Sequence, residues 1–328
     1  MDSEKVTIYD IADKLNISVS TVSRVLNNSQ LISNDKTRLI QETAVRMGYQ
    51  KRQIKRHRGR TILNIVLILP YREDPYMHLF YDAAQLIKGI EDGFGDTRIS
   101  IITDLDLGVS KIFSHKKTGN IDGVIFAFSD PHTTLLKNLD SRKIPYVFLN
   151  RIKKVHNYIC CDYKSGMMTL VRNLAEKRDS RNLIFIGFSS NVEISERKEA
   201  GFREACKKYS ISCDVEMISS INEIDSDFID RLNFSDKDAV LCSNDILAVT
   251  LYQALIHKDI RIPEDIGLTG FDNSPIRELF RDKVTTIDLS TGKLGRDAAI
   301  WLKDWIVNRN ETMIHELVPG KFIPGTTI

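Results

Sequence analysis

The chain is poor in the devices that mark enzymes and exported proteins. Its five cysteines (Cys160, Cys161, Cys206, Cys213, Cys242) form no CxxC pair and no Cys/His ligand spacing. A disulfide framework and a zinc site are therefore set aside, and reduced thiols are expected. The seven histidines (His57, His78, His115, His132, His156, His257, His315) show no ligand spacing either. GxGxxG, the Walker loop, GxSxG and HExxH are all missing, which removes the familiar phosphate cradles, nucleophile elbows and zinc peptidase centres. No metal, no cofactor and no catalytic residue is expected, and the chain does not read as an enzyme. The N-terminus, MDSEK, is charged and lacks an apolar signal core. The apolar runs fall far short of a membrane span. A cytoplasmic protein with no membrane partner is the expectation.

What is present is an uneven distribution of charge. The net charge of +2 over 328 residues hides a basic end, because residues 1–60 hold 12 Lys and Arg against 6 Asp and Glu. The remainder holds 34 against 38. A basic end on an acidic body suits a nucleic-acid module joined to something else. The length predicts two or three folding units.

Within the basic end, Thr7 to Asn27 reads TIYDIADKLNISVSTVSRVLN. Ile8, Ile11, Ala12 and Leu15 recur at three- and four-residue spacing, one buried helical face. Leu15-Asn16-Ile17 is a turn, in which Asn tolerates positive φ. Ser18 offers an N-cap to a second helix, whose Val22, Val25 and Leu26 face the core. Val19, Ser20, Ser23, Arg24 and Asn27 are left outside. Apolar spacing alone is equally that of a plain helical hairpin, but a helix–turn–helix can lay its second helix in the DNA major groove. A third helix follows, capped by Ser33 or Asn34, with Leu39, Ile40, Thr43, Ala44 and Met47 on one stripe and Gly48 as its stop. Next comes QKRQIKRHRGR, residues 50–60, with six Lys or Arg and no acid. Such dense like charge predicts a segment without structure of its own, able to displace counterions from phosphate.

From Thr61 the pattern changes. Ile62 to Leu69 is a continuous apolar run, a strand buried on both faces. Helices over about 76–94, 133–139, 165–176, 194–209 and 245–257 alternate with strands over 99–103, 123–128, 146–149, 183–186, 215–218, 239–242 and 266–269. This alternation predicts two doubly wound parallel-sheet lobes around a cleft, with ligands outside the carboxyl ends of the strands. A last strand is expected over 319–328. Asn150-Arg151, Asn244-Asp245 and Asp272 all follow such strands and suit a polyhydroxylated ligand. Asn and Asp at these positions also commonly cap the next helix, and Asp245 is read mainly as a cap.

The segment TIYDIADKLNISVSTVSRVLNN resembles the headpiece of the LacI/GalR family of bacterial transcriptional regulators, and SNDILAV and PEDIGLTGFDNS resemble motifs of its sensor. The resemblance implies a small all-α headpiece over 1–49, a hinge or linker over 50–61, and a periplasmic-binding-protein-like α/β effector domain over 62–328. It divides the last into lobe 1 (about 62–161 and 291–319) and lobe 2 (about 162–290 and 320–328). DNA contacts are implied for Thr7, Tyr9, Ser18, Val19, Ser20, Thr21, Arg24 and Asn27. Arg52, Lys55, Arg56, Arg58 and Arg60 would supply phosphate and minor-groove contacts. Arg58 stands where the family places a wedging leucine, so the hinge departs from pattern, and Arg58-Gly59-Arg60 resembles a minor-groove clip. Effector contacts are implied for Tyr76, Asn150, Arg151, Asn244 and Asp272, with the cation coming from Arg197 or Lys198. Thr291 replaces an aromatic of some members. The expected function is a repressor of carbohydrate genes, binding double-stranded operator DNA as a homodimer under control of a sugar or sugar phosphate. A regulator whose co-effector is a partner protein or a non-sugar metabolite, a solute receptor and a cytosolic sugar-binding enzyme are the alternatives.

Overall fold

The computed structural model describes residues 6–26, 34–47, 49, 56–57, 60–71, 79–106, 121–189, 192–232 and 234–328. It resolves into two compact units, Met1–Arg56 and His57–Ile328.

The first unit holds α1 (Ile8–Leu15), α2 (Val19–Leu26) and α3 (Asn34–Arg46). Thr7 starts α1 through a reciprocal capping box with Asp10, which satisfies two backbone N–H groups that the helix leaves free. Asn16 ends it with φ at 50°. The Thr21 N–H donates to Ser18 Oγ at 3.3 Å, so Ser18 caps α2 as its position predicts. Ile11, Ala12, Val22, Val25, Ile40 and Ala44 form the small core, with Ile8, Leu15, Leu26 and Met47 packed against it. Leu39, placed on the buried stripe from sequence, is half-exposed. Ile40, Thr43 and Ala44 suffice to cover so small a core. Ser33 and Gly48 lie outside the described residues.

At the boundary of the two units, β1 (Arg56–His57) and β2 (Arg60–Thr61) pair as a two-stranded sheet. The end of the basic segment is thus strand, where no structure was expected; strands of two residues leave no periodicity to read. Then follow β3 (Leu63–Pro70), α4 (Ala83–Phe94), β4 (Ile99–Asp106), β5 (Gly123–Ala127), α5 (Thr133–Ser141), β6 (Tyr146–Leu149) and β7 (Tyr158–Asp162). Next are α6 (Tyr163–Lys177), β8 (Asn182–Phe188), α7 (Val192–Tyr209), β9 (Ser212–Ile218), α8 (Ser226–Leu232), β10 (Ala239–Cys242), α9 (Asp245–His257) and β11 (Gly267–Thr269). The chain closes with β12 (Thr286–Asp288), α10 (Thr291–Lys303), β13 (His315–Pro319) and β14 (Lys321–Ile323).

Two parallel sheets result, ordered β13-β7-β6-β5-β3-β4 and β11-β10-β8-β9. Each is the α/β layer that the alternation predicts. The chain returns to the first sheet near its end, where β13 runs beside β7 with His315 opposite Tyr158. After β13, β14 pairs antiparallel with β12 in a separate two-stranded sheet. Of the expected last strand over 319–328, only Lys321–Ile323 is strand, with Pro319 ending β13 before it. Thr327, fully buried, bonds the second sheet: its Oγ1 donates to the Leu268 carbonyl at 2.6 Å, and its own carbonyl accepts from the Leu268 N–H at 2.8 Å.

Helix α4 begins at Ala83, later than the apolar pattern suggests, because Asp82 caps it by accepting from the Ala84 and Gln85 N–H groups. It crosses α10 closely. A Cβ at Gly89 would lie 2.0 Å from the Gly292 carbonyl oxygen, and one at Gly295 would lie 2.6 Å from that of Leu86. Only glycine permits that backbone approach.

Candidate functional site

The first candidate surface is the N-terminal half of α2. Ser18 and Ser20 are exposed and Thr21 half-exposed. Their hydroxyls form one cluster, with Ser18 Oγ 2.9 Å from Ser20 Oγ and 2.8 Å from Thr21 Oγ1. Hydroxyls donate or accept according to what meets them, which suits reading of base edges or phosphate. Val19 is shared, packing partly against the core. Tyr9 is 47% exposed on α1, whereas Thr7 is engaged in its cap. Asn27, Arg52, Lys55 and Arg58 lie outside the described residues, as does the side chain of Arg24; Arg56 and Arg60 are described as backbone only.

The second candidate is where the carboxyl ends of both sheets meet. After β6, Asn150 adopts φ of 58°, a conformation Asn tolerates. Its Oδ1 accepts from the Cys161 N–H at 3.2 Å. Arg151, only 8% exposed, is fully engaged. Nε donates to Asp130 Oδ2 at 2.9 Å, Nη1 to the Asn150 carbonyl at 2.9 Å and Nη2 to the Phe128 carbonyl at 2.6 Å. Burial works against the Asp130 charge, but the hydrogen bond from Lys153 and the adjoining Arg151 hold its carboxyl below the usual range.

From the other sheet, α7 brings Arg197 and Lys198. Lys198 is the buried one, at 3% exposure. Its Nζ donates to the Ser243 carbonyl at 2.6 Å and to Asp272 Oδ1 at 3.1 Å. It also lies 4.1 Å from the Phe271 ring centroid and 5.1 Å from that of Tyr163, a desolvated cation–π arrangement. Arg197 instead makes one long contact, Nη2 to Glu193 Oε1 at 3.5 Å, and its buried Nε has no partner. The positive charges of Arg151 and Arg197 both reach the Cys160 thiol, against the burial that raises it to about 12.

Two carboxylates follow the strands of the second sheet. Burial raises Asp272 to about 6, opposed by Lys198. Burial raises Asp245 to about 8, opposed by the hydrogen bond from Thr286. The sequence reading took Asp245 as a helix cap, and this is corrected. Asn244 is the N-cap, its Oδ1 accepting from the Leu247 N–H at 2.8 Å. Asp245 points inward, where Oδ2 accepts from the Ser274 N–H and Oδ1 from Thr286 Oγ1, both at 2.6 Å. Asn244, expected among ligand groups, thus has its amide oxygen engaged in capping. Ser274 also donates its hydroxyl to the Leu79 carbonyl, joining the second sheet's loops to the chain before α4.

The roles of Asp245, Phe271, Ser274 and Tyr163 were missed, although the first three lie inside the motifs quoted above. Tyr76 lies outside the described residues, and Thr291 is buried at the start of α10. Among the described residues no group of His, Cys, Asp and Glu could hold a metal ion. No helix among them is long and apolar enough to cross a membrane.

Comparison with known proteins bears on both parts of the chain. A family model described as bacterial regulatory proteins, lacI family, matches residues 7–51. A periplasmic binding protein-like domain matches residues 171–328. The regulator DegA of Bacillus subtilis is 26% identical, over 89% of this chain and 89% of its own length. Catabolite control protein A of Staphylococcus xylosus is 23% identical over 86% and 87%. Among solved structures, the regulator CelR in complex with cellobiose aligns with a TM-score of 0.68 at 20% identity, covering 98% of this chain and all of that one. The lac repressor dimer bound to operator and an anti-inducer aligns at 0.63, with 17% identity and coverage of 98% and 99%. A capped helix–turn–helix on the segment matched by the lacI model, followed by paired parallel-sheet layers, leads to one conclusion: the chain belongs to the LacI family of DNA-binding bacterial transcriptional regulators.

Proposed function

We propose that this regulator is a dimeric repressor of carbohydrate-utilisation genes, acting on the nucleoid in the bacterial cytoplasm and not as an enzyme. Residues 1–49 read a pseudo-palindromic operator and 50–61 link them to the effector domain. In that domain, 62–161 with 291–319 form one lobe, and 162–290 with 320–328 the other. The observation that carries the reading is the hydroxyl-lined start of α2, presented by a capped turn on a basic end of the chain. Ser18, Val19, Ser20, Thr21, Arg24 and Asn27 read bases or support those that do, with Thr7 and Tyr9 at the flanking backbone. Arg52, Lys55, Arg56, Arg58 and Arg60 meet phosphates or the minor groove.

The effector is a small sugar-like metabolite between the lobes, near Tyr76, Asn150, Arg151, Arg197, Lys198, Asn244 and Asp272. The likeness to a cellobiose-bound regulator and the names of the relatives support a carbohydrate link. The effector acts on DNA affinity only through its differential affinity for two arrangements of the lobes.

The test is selection of duplexes from a random pool by the purified full chain. A pseudo-palindrome is expected, and Arg24→Ala should relax its sequence by roughly 1–3 kcal/mol at one position. Lys55→Ala with Arg56→Ala should instead flatten the salt dependence, by about one in the log–log slope per charge. Equal selection by a chain lacking residues 1–61 would overturn the reading.

A further inference from the structure

Helix α7 packs on β8 and β9, and its last turns present Phe202, Ala205, Cys206 and Tyr209 to the core beneath. That is the stripe which three- and four-residue spacing makes on one side of a helix. Only Ser210 and Ile211 join α7 to β9. Ser210 takes φ of 55°, and the Ile211 N–H donates to the Cys206 carbonyl at 2.9 Å, so the chain doubles back over Cys206. Along β9 the side chains alternate between faces. Asp214 and Glu216 turn to Lys237 and Arg231, at 2.7 and 2.8 Å, whereas Cys213 and Val215 pack against the core that holds Cys206. Helix stripe and strand alternation thus bring Cys206 and Cys213 to one place from two directions.

Access separates the two thiols. Cys206 is fully buried; burial, then the Cys213 thiol beside it and the hydrogen bond between them, raise it to about 12. Cys213 is half-buried, on a strand at the edge of its sheet. Arg203, one helical turn before Cys206, lies near enough for its charge to act with both sulfurs. A partly exposed thiol beside a guanidinium is one that an oxidant can reach, and an enclosed thiol next to it can complete the reaction. The remaining cysteines offer no such access, because Cys160, Cys161 and Cys242 are all fully buried.

We infer that Cys206 and Cys213 close to a reversible disulfide when the protein meets hydrogen peroxide, Cys213 reacting first and Cys206 completing the bond. In the first step the Cys213 thiolate attacks one peroxide oxygen. The S–O bond forms, the O–O bond breaks, and the hydroxide released takes up the proton that Cys213 gave, as water. In the second step the Cys206 sulfur attacks the sulfur of that sulfenic acid. The S–S bond forms, the S–O bond breaks, and hydroxide leaves with the Cys206 proton as a second water. Two thiols and one peroxide become one disulfide and two waters. The bridge pins the end of α7 to the edge strand β9, and a thiol reductant reopens it. The inference is independent of what the cleft binds.

The experiment is intact-mass and peptide analysis of the full chain, purified reduced, after a small excess of hydrogen peroxide. Trypsin cuts after Lys207 and Lys208, so the two cysteines leave on separate peptides unless a disulfide joins them. The expected product has lost two hydrogens and yields the Cys206 and Cys213 peptides joined, with dithiothreitol reversing both changes. Cys206→Ser should instead stop at a Cys213 sulfenic acid, captured by dimedone. Cys213→Ser should lose both the cross-link and the reaction with peroxide. Because Cys206 is enclosed, Cys206→Ala is run beside the serine variant, and unfolding midpoints show which variants fold. The wild-type peptide map needs no variant at all. A bridge between other cysteines or between two chains would overturn the inference, as would folded Cys206 variants that give no dimedone adduct. So would an unchanged mass at peroxide doses that fully oxidise free cysteine.

Discussion

The two units of this chain keep their polar side chains in opposite states. In the headpiece the candidate groups stand on the surface of a core of six buried residues, and hydroxyls such as Ser20 contact each other and solvent. In the body, Asn150, Arg151, Lys198, Asp245 and Asp272 are buried, and each is already paired within the protein. DNA is a rigid external template, so its reader needs an exposed and well-anchored edge. A metabolite is enclosed, so its binder must desolvate charges and satisfy them when the ligand is absent. The comparison teaches where substitutions should damage function and where they should damage the fold.

The largest effect expected is in the body. Lys198→Ala leaves the buried Asp272 carboxylate alone, which should cost about 3–5 kcal/mol at pH 8. The loss should shrink toward pH 5, where Asp272 takes up a proton, because its folded value is about 6. Denaturant unfolding at the two pH values checks this; equal losses would mean that Asp272 does not depend on the lysine.

In the headpiece, Ile11→Ala should cost about 2–5 kcal/mol. A core so small has little stability to lose, so specific duplex binding should vanish while the body's unfolding midpoint stays put. A lowered body midpoint would break the comparison.

pH itself should separate the two regions. Burial raises Asp245 to about 8 and Asp272 to about 6, both above their unfolded values. The stabilisation linked to these protons is full below the unfolded values and is lost as pH rises through the folded ones. The body's midpoint should therefore fall between pH 5 and 9. Wherever the folded body holds one proton more than the unfolded chain, stability drops by about 1.4 kcal/mol for each step of one in pH. Asp245→Asn should flatten that slope.

The smallest effect is that of a cap. Thr7→Ala removes the side-chain half of the Thr7–Asp10 box and should cost the headpiece about 1 kcal/mol, seen as reduced helicity and no change in the body.

Much of the architecture was legible. The apolar runs at Ile62–Leu69 and Ala239–Cys242 announce buried parallel strands, and the turn at Asn16 with the cap at Ser18 announces the helix pair. Strand β7 was not read, because the apolar run Tyr158 to Cys161 passes straight into α6 at Tyr163 with no turn signal to separate strand from helix. The cap between Asn244 and Asp245 was misassigned because both can cap, and only tertiary packing shows that Thr286 and the Ser274 N–H wait for a buried carboxylate. Arg197 and Lys198 could not be told apart for a related reason. Adjacent residues point about 100° apart around a helix, so which one enters the protein depends on how α7 is rotated against its sheet.

The late return of the chain to both sheets has a consequence for synthesis. Among the described residues the headpiece core draws on positions between Val6 and Tyr49, contacts short in sequence and quick to form. The first sheet lacks β13 until residue 319 has been made, and the second lacks its clasp until Thr327. On the ribosome, the part that reads DNA is complete long before the part that would govern it. A chain stalled near its end would carry a finished reader on an unfinished body.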